Sequence, residues 1–576
     1  MQFNVRPYVC GALGRIDTSV LGKLMAAGPK VWPALQSADA ALFSSSPLPP
    51  YHRAGDSYAF AWGERGPKAA EDEWITVAET YETPGLIGDG RKVTLHTGAL
   101  GLVDVYYVRL GEAVYFSSLI QPLLSLVPVQ IDWSAWASIL QVTFPLGEAT
   151  PYTEVRRLPG ASALVFEHGR LATERRLPRW LRTEPYEKWI SPREIVELLD
   201  GVYEEYDGRR LLVPVSGGYD SRLLASVARA RGFDVESWTT SPDDGTDTDI
   251  AFARSITREL GIPHRVITQD AADYPADAME VARRLEYLTP HHAWYAPFAK
   301  EVHGAGRILV DGLAGGPLLK NFMVSGAALE ATTQAERSAA VLASLSLGQP
   351  TQPFLSKAAA QWMDETVREQ FQAATSMLHG HRAELPLSVL HTRTVRGIAR
   401  SAVNLVGPEA SFAAPFIHPE FFDAALSVGV ARKDKGRFYR EVLYAANPRV
   451  AALPSTNVIK QPLQRVPLRS TAAPARNYSH RMLEVLATRV PNLLSDELHE
   501  VVAGGPDALT RFNGWNDRFW VRGLVLFGLW LSDFENDLSD LATPFSELWV
   551  TGRLRSDLAG ITPRTAEAGS GKPTGW

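Results

Sequence analysis

The stretch LLVPVSGGYDSR, residues 211–222, decides how the rest of the chain is read. An apolar run, 211–215, enters Ser216, Gly217 and Gly218, and LLASVARARG (223–232) then has helical spacing with a glycine stop at Gly232. A buried strand, a glycine turn and a helix place backbone N–H groups and a positive helix end at one edge of a sheet, where anions bind. Glycine is required there because a Cβ would keep a phosphate away. Ser216 and Ser221 add hydroxyl donors, and Asp220 offers a hard oxygen for magnesium riding on that phosphate. The plainer alternative is a glycine-rich turn capped by Asp220. A Walker loop needs a lysine and a wider glycine spacing. GSGKPT (569–574) has the lysine, but Pro573 follows it and no strand precedes it, so it is rejected.

Working outward, VESWTT (235–240) reads as a strand, DIAFARSITRELG (249–261) as a helix and HRVIT (264–268) as a strand. This alternation implies an α/β fold, a parallel sheet with helices on both faces. Before it, Ser191, Pro192 and Glu194 form a helix start leading into IVELL. Up to about residue 180, YAFAW, KVTLHTG, LVDVYYVRL and AVYFSS read as short strands of a sheet-rich unit. RWLRTEPYEKW (179–189) is the join. Residues 325–450 have mostly helical spacing, as in AALEATTQAERSAAVLASL (327–345), and the tryptophan-bearing GWNDRFWVRGLVLFGLW (514–530) reads as a buried helix. The expected units are 1–185, 190–555 and a disordered tail, 560–576.

With 58 basic and 64 acidic residues the net charge is only −6, which argues against a nucleic-acid partner. The single cysteine, Cys10, rules out an internal disulfide framework, fits the cytoplasm and reads as a small buried hydrophobe. No signal-like start and no long apolar run is present, so no membrane partner is expected. The acids Asp243, Asp244, Asp247 and Asp249 do not follow the EF-hand spacing and read as a solvated loop with a helix cap. His291 and His292 are read as structural or surface residues, with a pocket lining as the alternative.

SGGYDSR (216–222) resembles the pyrophosphate-binding loop, SGGxDS, of the ATP-pyrophosphatase superfamily, in its asparagine synthetase-like branch. GEATPYTEVRRLPGASALVF (147–166), Asp249 with Ala253 and GIPH (261–264), and DGLAGGPLL (311–319) are similar to family segments in the same order. So are Arg400 with APFIHPEFFDAALSV (414–428), and KGRFYREVLYAANPRVAALPSTNVIKQP (435–462), which ends in the family's catalytic lysine, here Lys460. The resemblance spans roughly residues 90 to 535. It implies a degenerate N-terminal glutaminase-like (Ntn-type) αββα sandwich joined to an adenine nucleotide α-hydrolase-like parallel sheet with added helices.

Departures from the family pattern narrow what the resemblance implies. Glutamine-dependent members expose a cysteine after methionine removal; position 2 is Gln2, so glutaminase activity is expected to be absent. No acid stands near Arg400 as in β-lactam synthetases, and the chain is most similar to lasso-peptide cyclase, the lasso macrolactam synthetase. Gly316 falls where an aspartate normally binds magnesium, leaving Asp311 for that role or as a mere turn cap. The resemblance then implies an AMP-forming ligase using ATP and Mg2+. It adenylates an Asp or Glu side chain of a leaderless precursor (core) peptide, whose N-terminal amine closes the ring. Ser216, Gly217, Gly218, Asp220 and Ser221 would hold the nucleotide, Asp220 and Asp311 the metal, Lys460 the oxyanion, and Arg400 a carboxylate or phosphate. The leader peptidase and leader-recognition protein of the same pathway are possible partners. The alternatives are a small-molecule amide or β-lactam synthetase and a non-catalytic peptide- or nucleotide-binding pseudoenzyme.

Overall fold

The computed structural model describes residues 2–3, 5–63, 80–182, 188–240, 248–346, 353–459, 469–538, 541 and 543–545. Lys460, the acids Asp243, Asp244 and Asp247, and the expected tail 560–576 lie outside the described residues.

The protein is mixed α/β with three six-stranded sheets. Two are antiparallel and are built from residues before 176. One runs, in spatial order, Arg156–Arg157, Tyr106–Leu110, Ala113–Ser117, Val9–Gly14, Ala40–Ser44 and Trp32–Gln36. The other runs Arg170–Arg175, Ser162–Glu167, Lys92–His96, Gly85–Asp89, Ser57–Ala61 and His52–Ala54. The period-two pattern of the strands explains how they pack. Val9 and Leu13 share a core with Phe60, Leu86 and Leu95 of the second sheet, whereas Cys10 and Ala12 point into a core with Leu21 and Leu24 of helix Thr18–Ala27. Cys10 is fully buried, as its reading anticipated.

The third sheet has the order Gln2–Phe3, Phe412–Ala413, Ile308–Val310, Leu211–Leu212, Val235–Thr240, His264–Ile267. All neighbours pair in parallel except Gln2–Phe3, which runs antiparallel to Phe412–Ala413. The chain start thus joins a sheet otherwise made of residues beyond 210. Leading into the sheet, Ser191 and Glu194 make the reciprocal capping box of helix Pro192–Val202. The first strand of the parallel set lies between the second and the fourth, so the sheet reverses its winding between Leu211–Leu212 and Ile308–Val310. A crevice opens outside the carboxyl ends of strands at such a reversal, and ligands bind there in open α/β sheets.

Helices surround this sheet. The run 327–345 is not one helix: it divides into Gly326–Glu330 and Gln334–Leu345, the second opened by a capping box of Thr333 and Glu336. Leu390–Ile398 and Ser401–Val406 are π-helical. Helix Trp515–Asp533 is buried against both halves, with Phe527 stacked on Trp136 at 4.4 Å and Trp530 inaccessible to solvent. Among the described residues no helix is long and apolar enough to cross a membrane.

Candidate active site

Loop 216–221 leaves the strand at the sheet's reversal point, and helix Asp220–Ala230 follows it. The two glycines serve different ends. A Cβ on Gly217 would stand 2.5 Å from Thr456 Cγ2 and 3.0 Å from Asp249 Oδ1, so this position is closed by packing. A Cβ on Gly218 would meet nothing nearer than Ser216 Oγ at 3.4 Å, and Gly218 lines a cavity of about 530 Å3.

The expectation that loop N–H groups cradle an anion is corrected at three positions. Ser216 N donates to Ser221 Oγ (3.0 Å), Gly217 N to Asp249 Oδ1 (2.8 Å) and Gly218 N to Ser216 Oγ (3.2 Å). These bonds use the two serine oxygens as acceptors, and the two hydroxyls also bond each other at 3.3 Å, which leaves the pair one proton to donate outward. Asp249, read as a cap in a solvated loop, is instead a half-buried buttress of the glycine turn; partial burial raises its carboxyl pKa, opposed by the Gly217 N–H and by Thr456.

Arg222, last residue of the quoted stretch, is fully buried and ties the loop to a distant segment. Its guanidinium donates to the carbonyls of Val450, Leu453 and Pro454 at 3.1, 2.9 and 2.6 Å, and to Gly217 O at 3.4 Å. Ser455 Oγ and Thr456 N also donate to Gly217 O. The segment 450–456 is therefore held against the loop.

Besides Asp249, two carboxylates line the cavity, each in the segment that follows one of two neighbouring strands. Asp220 opens its helix and packs on a second glycine turn: a Cβ on Gly312 would lie 2.9 Å from Asp220 Cβ, and one on Gly315 2.8 Å from Asp220 Oδ1. That Oδ1 is buried and has no hydrogen-bond partner among the described residues. Burial raises the Asp220 pKa, opposed by the charge of Lys320 and the hydroxyl of Tyr439. Asp311 follows Ile308–Val310; burial, reinforced by the charge of Asp220, pushes its pKa up to about 6 against the pull of the Leu313 N–H. Among the described residues no group of three His, Cys, Asp or Glu side chains is arranged to hold a metal. Magnesium suits the pair, since it takes one or two carboxylates and completes its shell with phosphate oxygens and water.

Lys320, at the end of helix Gly315–Lys320, also lines the cavity. Its Nζ donates to Asn457 Oδ1 at 2.6 Å and lies over the rings of Tyr219 and Phe322. The space a side chain at Gly316 would enter is taken by Phe322 Cβ (3.1 Å) and Lys320 Cε (3.5 Å). Sequence reading missed Lys320, although it is the next residue after DGLAGGPLL (311–319).

The structure brings Ser216, Gly218, Asp220, Ser221 and Asp311 to one cavity, with Gly217 immediately behind them. It does not bring Arg400 there. Arg400 is fully buried and pairs with Asp104 of the antiparallel half; the same carboxylate accepts from Arg157 Nε at 2.7 Å. Asn404 Oδ1 and Val395 O take further Arg400 protons, so its guanidinium joins the two halves and does not face a ligand. The arginines that line the cavity are Arg393 and Arg522. His291 and His292 line it too, and burial drives both pKa values down, His292 to about 4. His292 (φ +78°) and Ala314 (φ +72°) are left-handed non-glycine residues on its wall, a form of strain that persists where surrounding structure enforces it.

No protein-family model matches the sequence, and no curated protein matches it. Among solved structures the chain is similar in part to NMN synthetase from Francisella tularensis, at 22% identity over 23% of this chain and 58% of that one, with a TM-score of 0.16. It is also similar to glutamine phosphoribosylpyrophosphate amidotransferase from B. subtilis complexed with ADP and GMP, at 9% identity over 45% and 90% of the two chains, with a TM-score of 0.20. This chain thus spans little more than half of the synthetase, and likenesses at such scores carry no weight for its activity.

Proposed function

We propose that the protein is an ATP-dependent, AMP-forming ligase that activates a carboxylate and joins it to an amine, and that its product is the macrolactam ring of a lasso peptide. One observation carries the nucleotide reading: the serine hydroxyls of loop 216–221, the acid pair Asp220 and Asp311, and the Lys320 ammonium meet in a single cavity at the reversal point of a parallel sheet. The finer reading, a peptide substrate, rests on the sequence resemblance alone.

In this reading a carboxylate oxygen of the core peptide attacks the α-phosphorus of ATP, the bond between the α-phosphorus and the bridging oxygen breaks, and pyrophosphate leaves. The bonded hydroxyl pair of Ser216 and Ser221 donates its outward proton to the departing diphosphate, and Lys320 offsets its charge. Mg2+ held by Asp220 and Asp311 would supply further charge neutralisation. The peptide's N-terminal amine then attacks the acyl carbon, AMP leaves and the amine loses a proton, so the peptide is lighter by one water. Lys460 is assigned to the oxyanion of this second step. Holding amine and acyl group together is the largest contribution asked of the protein, since oriented intramolecular reactions reach effective molarities of about 10⁵ to 10⁸ M. The antiparallel half serves as scaffold and peptide-docking surface.

The test is incubation of the full chain with ATP, Mg2+ and candidate core peptides, followed by mass spectrometry and assay of AMP. Loss of one water with stoichiometric AMP is expected, and its abolition by Asp220→Ala. AMP release with small acids only would replace the peptide reading by a small-molecule amide synthetase. Absence of nucleotide binding would overturn the ligase reading.

A further inference from the structure

The charges lining the cavity are segregated. Its carboxylates are Asp220, Asp249 and Asp311, all tied to the loop region: Asp249 holds Gly217, and Asp220 and Asp311 sense each other. Arg393 and Arg522 come from other elements, the π-helix Leu390–Ile398 and the late helix Trp515–Asp533. Their fields converge on His291, where, after burial and the neighbouring His292, both contribute to keeping the imidazole neutral.

Arg393, half-buried at the cavity wall, differs from the buried arginines. Arg222 serves four carbonyls, Arg396 those of Pro145 and Ala149, Arg400 binds Asp104, and Arg469 binds Asp277 with Ala293 O. Arg393 makes no hydrogen bond or ion pair with any described residue; its contact is the face of Phe322 at 5.1 Å. Burial lowers its pKa to about 10, with no carboxylate opposing the shift. Partial desolvation with no anion beside it costs the guanidinium free energy, and an arriving anion offsets that cost. Arg522 lies over the Phe519 ring at 5.3 Å and donates to Ser470 Oγ. Each guanidinium lies over an aromatic ring, and the guanidinium fork matches a planar carboxylate.

We propose that Arg393 and Arg522 form a second anion subsite in the cavity, which takes the carboxylate of the acid substrate and presents it to the nucleotide held at loop 216–221. The inference rests on the nucleotide reading of that loop. A carboxylate fits better than a second phosphate because the phosphate end has its own cation, Lys320, and its own acid pair.

The experiment uses the full chain and two probes. N-acetyl-aspartic acid α-methylamide carries one side-chain carboxylate and is titrated by saturation-transfer NMR, with its asparagine analogue as the neutral control. Mg2+ with α,β-methylene-ATP is titrated by calorimetry. Saturable binding of the acid and none of the control is expected. Arg393→Gln, which breaks no hydrogen bond to a described residue, should weaken the acid by about tenfold or more. Its nucleotide affinity should change by less than about twofold. Arg393→Lys, keeping charge without the fork, should fall between. Arg522→Gln should behave like R393Q. Equal acid binding by wild type and R393Q, or no saturable acid binding to wild type, would overturn the subsite. Equal losses for acid and nucleotide would do so too, by giving the arginines to the phosphates. If wild type fails to bind the nucleotide analogue, the ligase reading falls, and the acid titration run without nucleotide still decides the arginines.

Discussion

Replacing Asp311 with asparagine should make the ligand-free protein more stable and less active, and both effects have one origin. Burial, helped by the charge of Asp220, raises the Asp311 carboxyl from its ordinary 3.8 to about 6. An acid whose folded pKa is raised keeps a proton that the unfolded chain has already released. Stability therefore falls as pH climbs from about 3.8 to about 6, and is fully present only below that window. At about 1.4 kcal/mol per pH unit the displacement corresponds to about 3 kcal/mol, an upper bound because Asp311 keeps some solvent access at the cavity wall. Asparagine has the shape of the neutral acid without the penalty. Urea denaturation at pH 8 should find D311N more stable by about 1–3 kcal/mol, and at pH 4 the two proteins should nearly coincide. Added Mg2+ should then stabilise wild type at pH 8 and leave D311N unchanged, since the ion binds the ionised pair. A D311N protein less stable than wild type at pH 8, or an advantage of equal size at both pH values, would refute the account of a desolvated acid pair kept for a ligand.

The two loop glycines should separate stability from binding. Gly217→Ala drives a methyl group into Thr456 and Phe252 and should cost about 1–3 kcal/mol. Gly218→Ala should fold as wild type yet bind Mg2+ with α,β-methylene-ATP less tightly; equal stability losses for both would contradict the geometry. Lys320→Gln should weaken pyrophosphate by about tenfold, with Lys320→Arg retaining most of the affinity. Unchanged calorimetry would reduce Lys320 to a packing residue. Arg400→Leu leaves a fully desolvated Asp104 with Arg157 as its remaining ion pair and should cost about 3–5 kcal/mol in urea unfolding, a loss that a ligand-facing arginine would not produce.

Where a structural element is specified by neighbours in sequence, it could be read in advance. VESWTT is the strand Val235–Thr240, and the capping signal at Ser191 opens the helix it promised. The division of 327–345 was also readable, since Thr333 and Glu336 carry the same capping signal inside an otherwise continuous helical pattern. The pairing of Gln2–Phe3 with Phe412–Ala413 was not, because two-residue strands carry no periodicity and their partners lie far apart in the chain. The engagement of Gly217 N by Asp249 was hidden for the same reason: an acid at the start of one helix and a glycine at the start of another meet only once the sheet is assembled.

The choice between Arg393 and Arg400 shows what kind of information was missing. In an α-helix, residues seven apart fall on nearly the same face, so a helical pattern through this segment gives the two arginines one address. The backbone takes another path: Ala399 N donates to Thr394 O at 2.8 Å, five residues back, and the wider π turn advances each residue by a smaller angle. Seven such steps no longer close two turns, and the two side chains part, Arg393 to the cavity and Arg400 to Asp104. No residue type marks a π turn, because its dihedral angles lie near those of the α-helix and any good helix former can adopt it. What selects it is the tertiary pull of the groups it serves. Gly397 O accepts from His292 Nε2 at 3.0 Å, and Arg396 reaches Pro145 O and Ala149 O in the other half. Which arginine faces the cavity is thus set by contacts between halves of the molecule, and a reading along the chain that singles out Arg400 has no access to them.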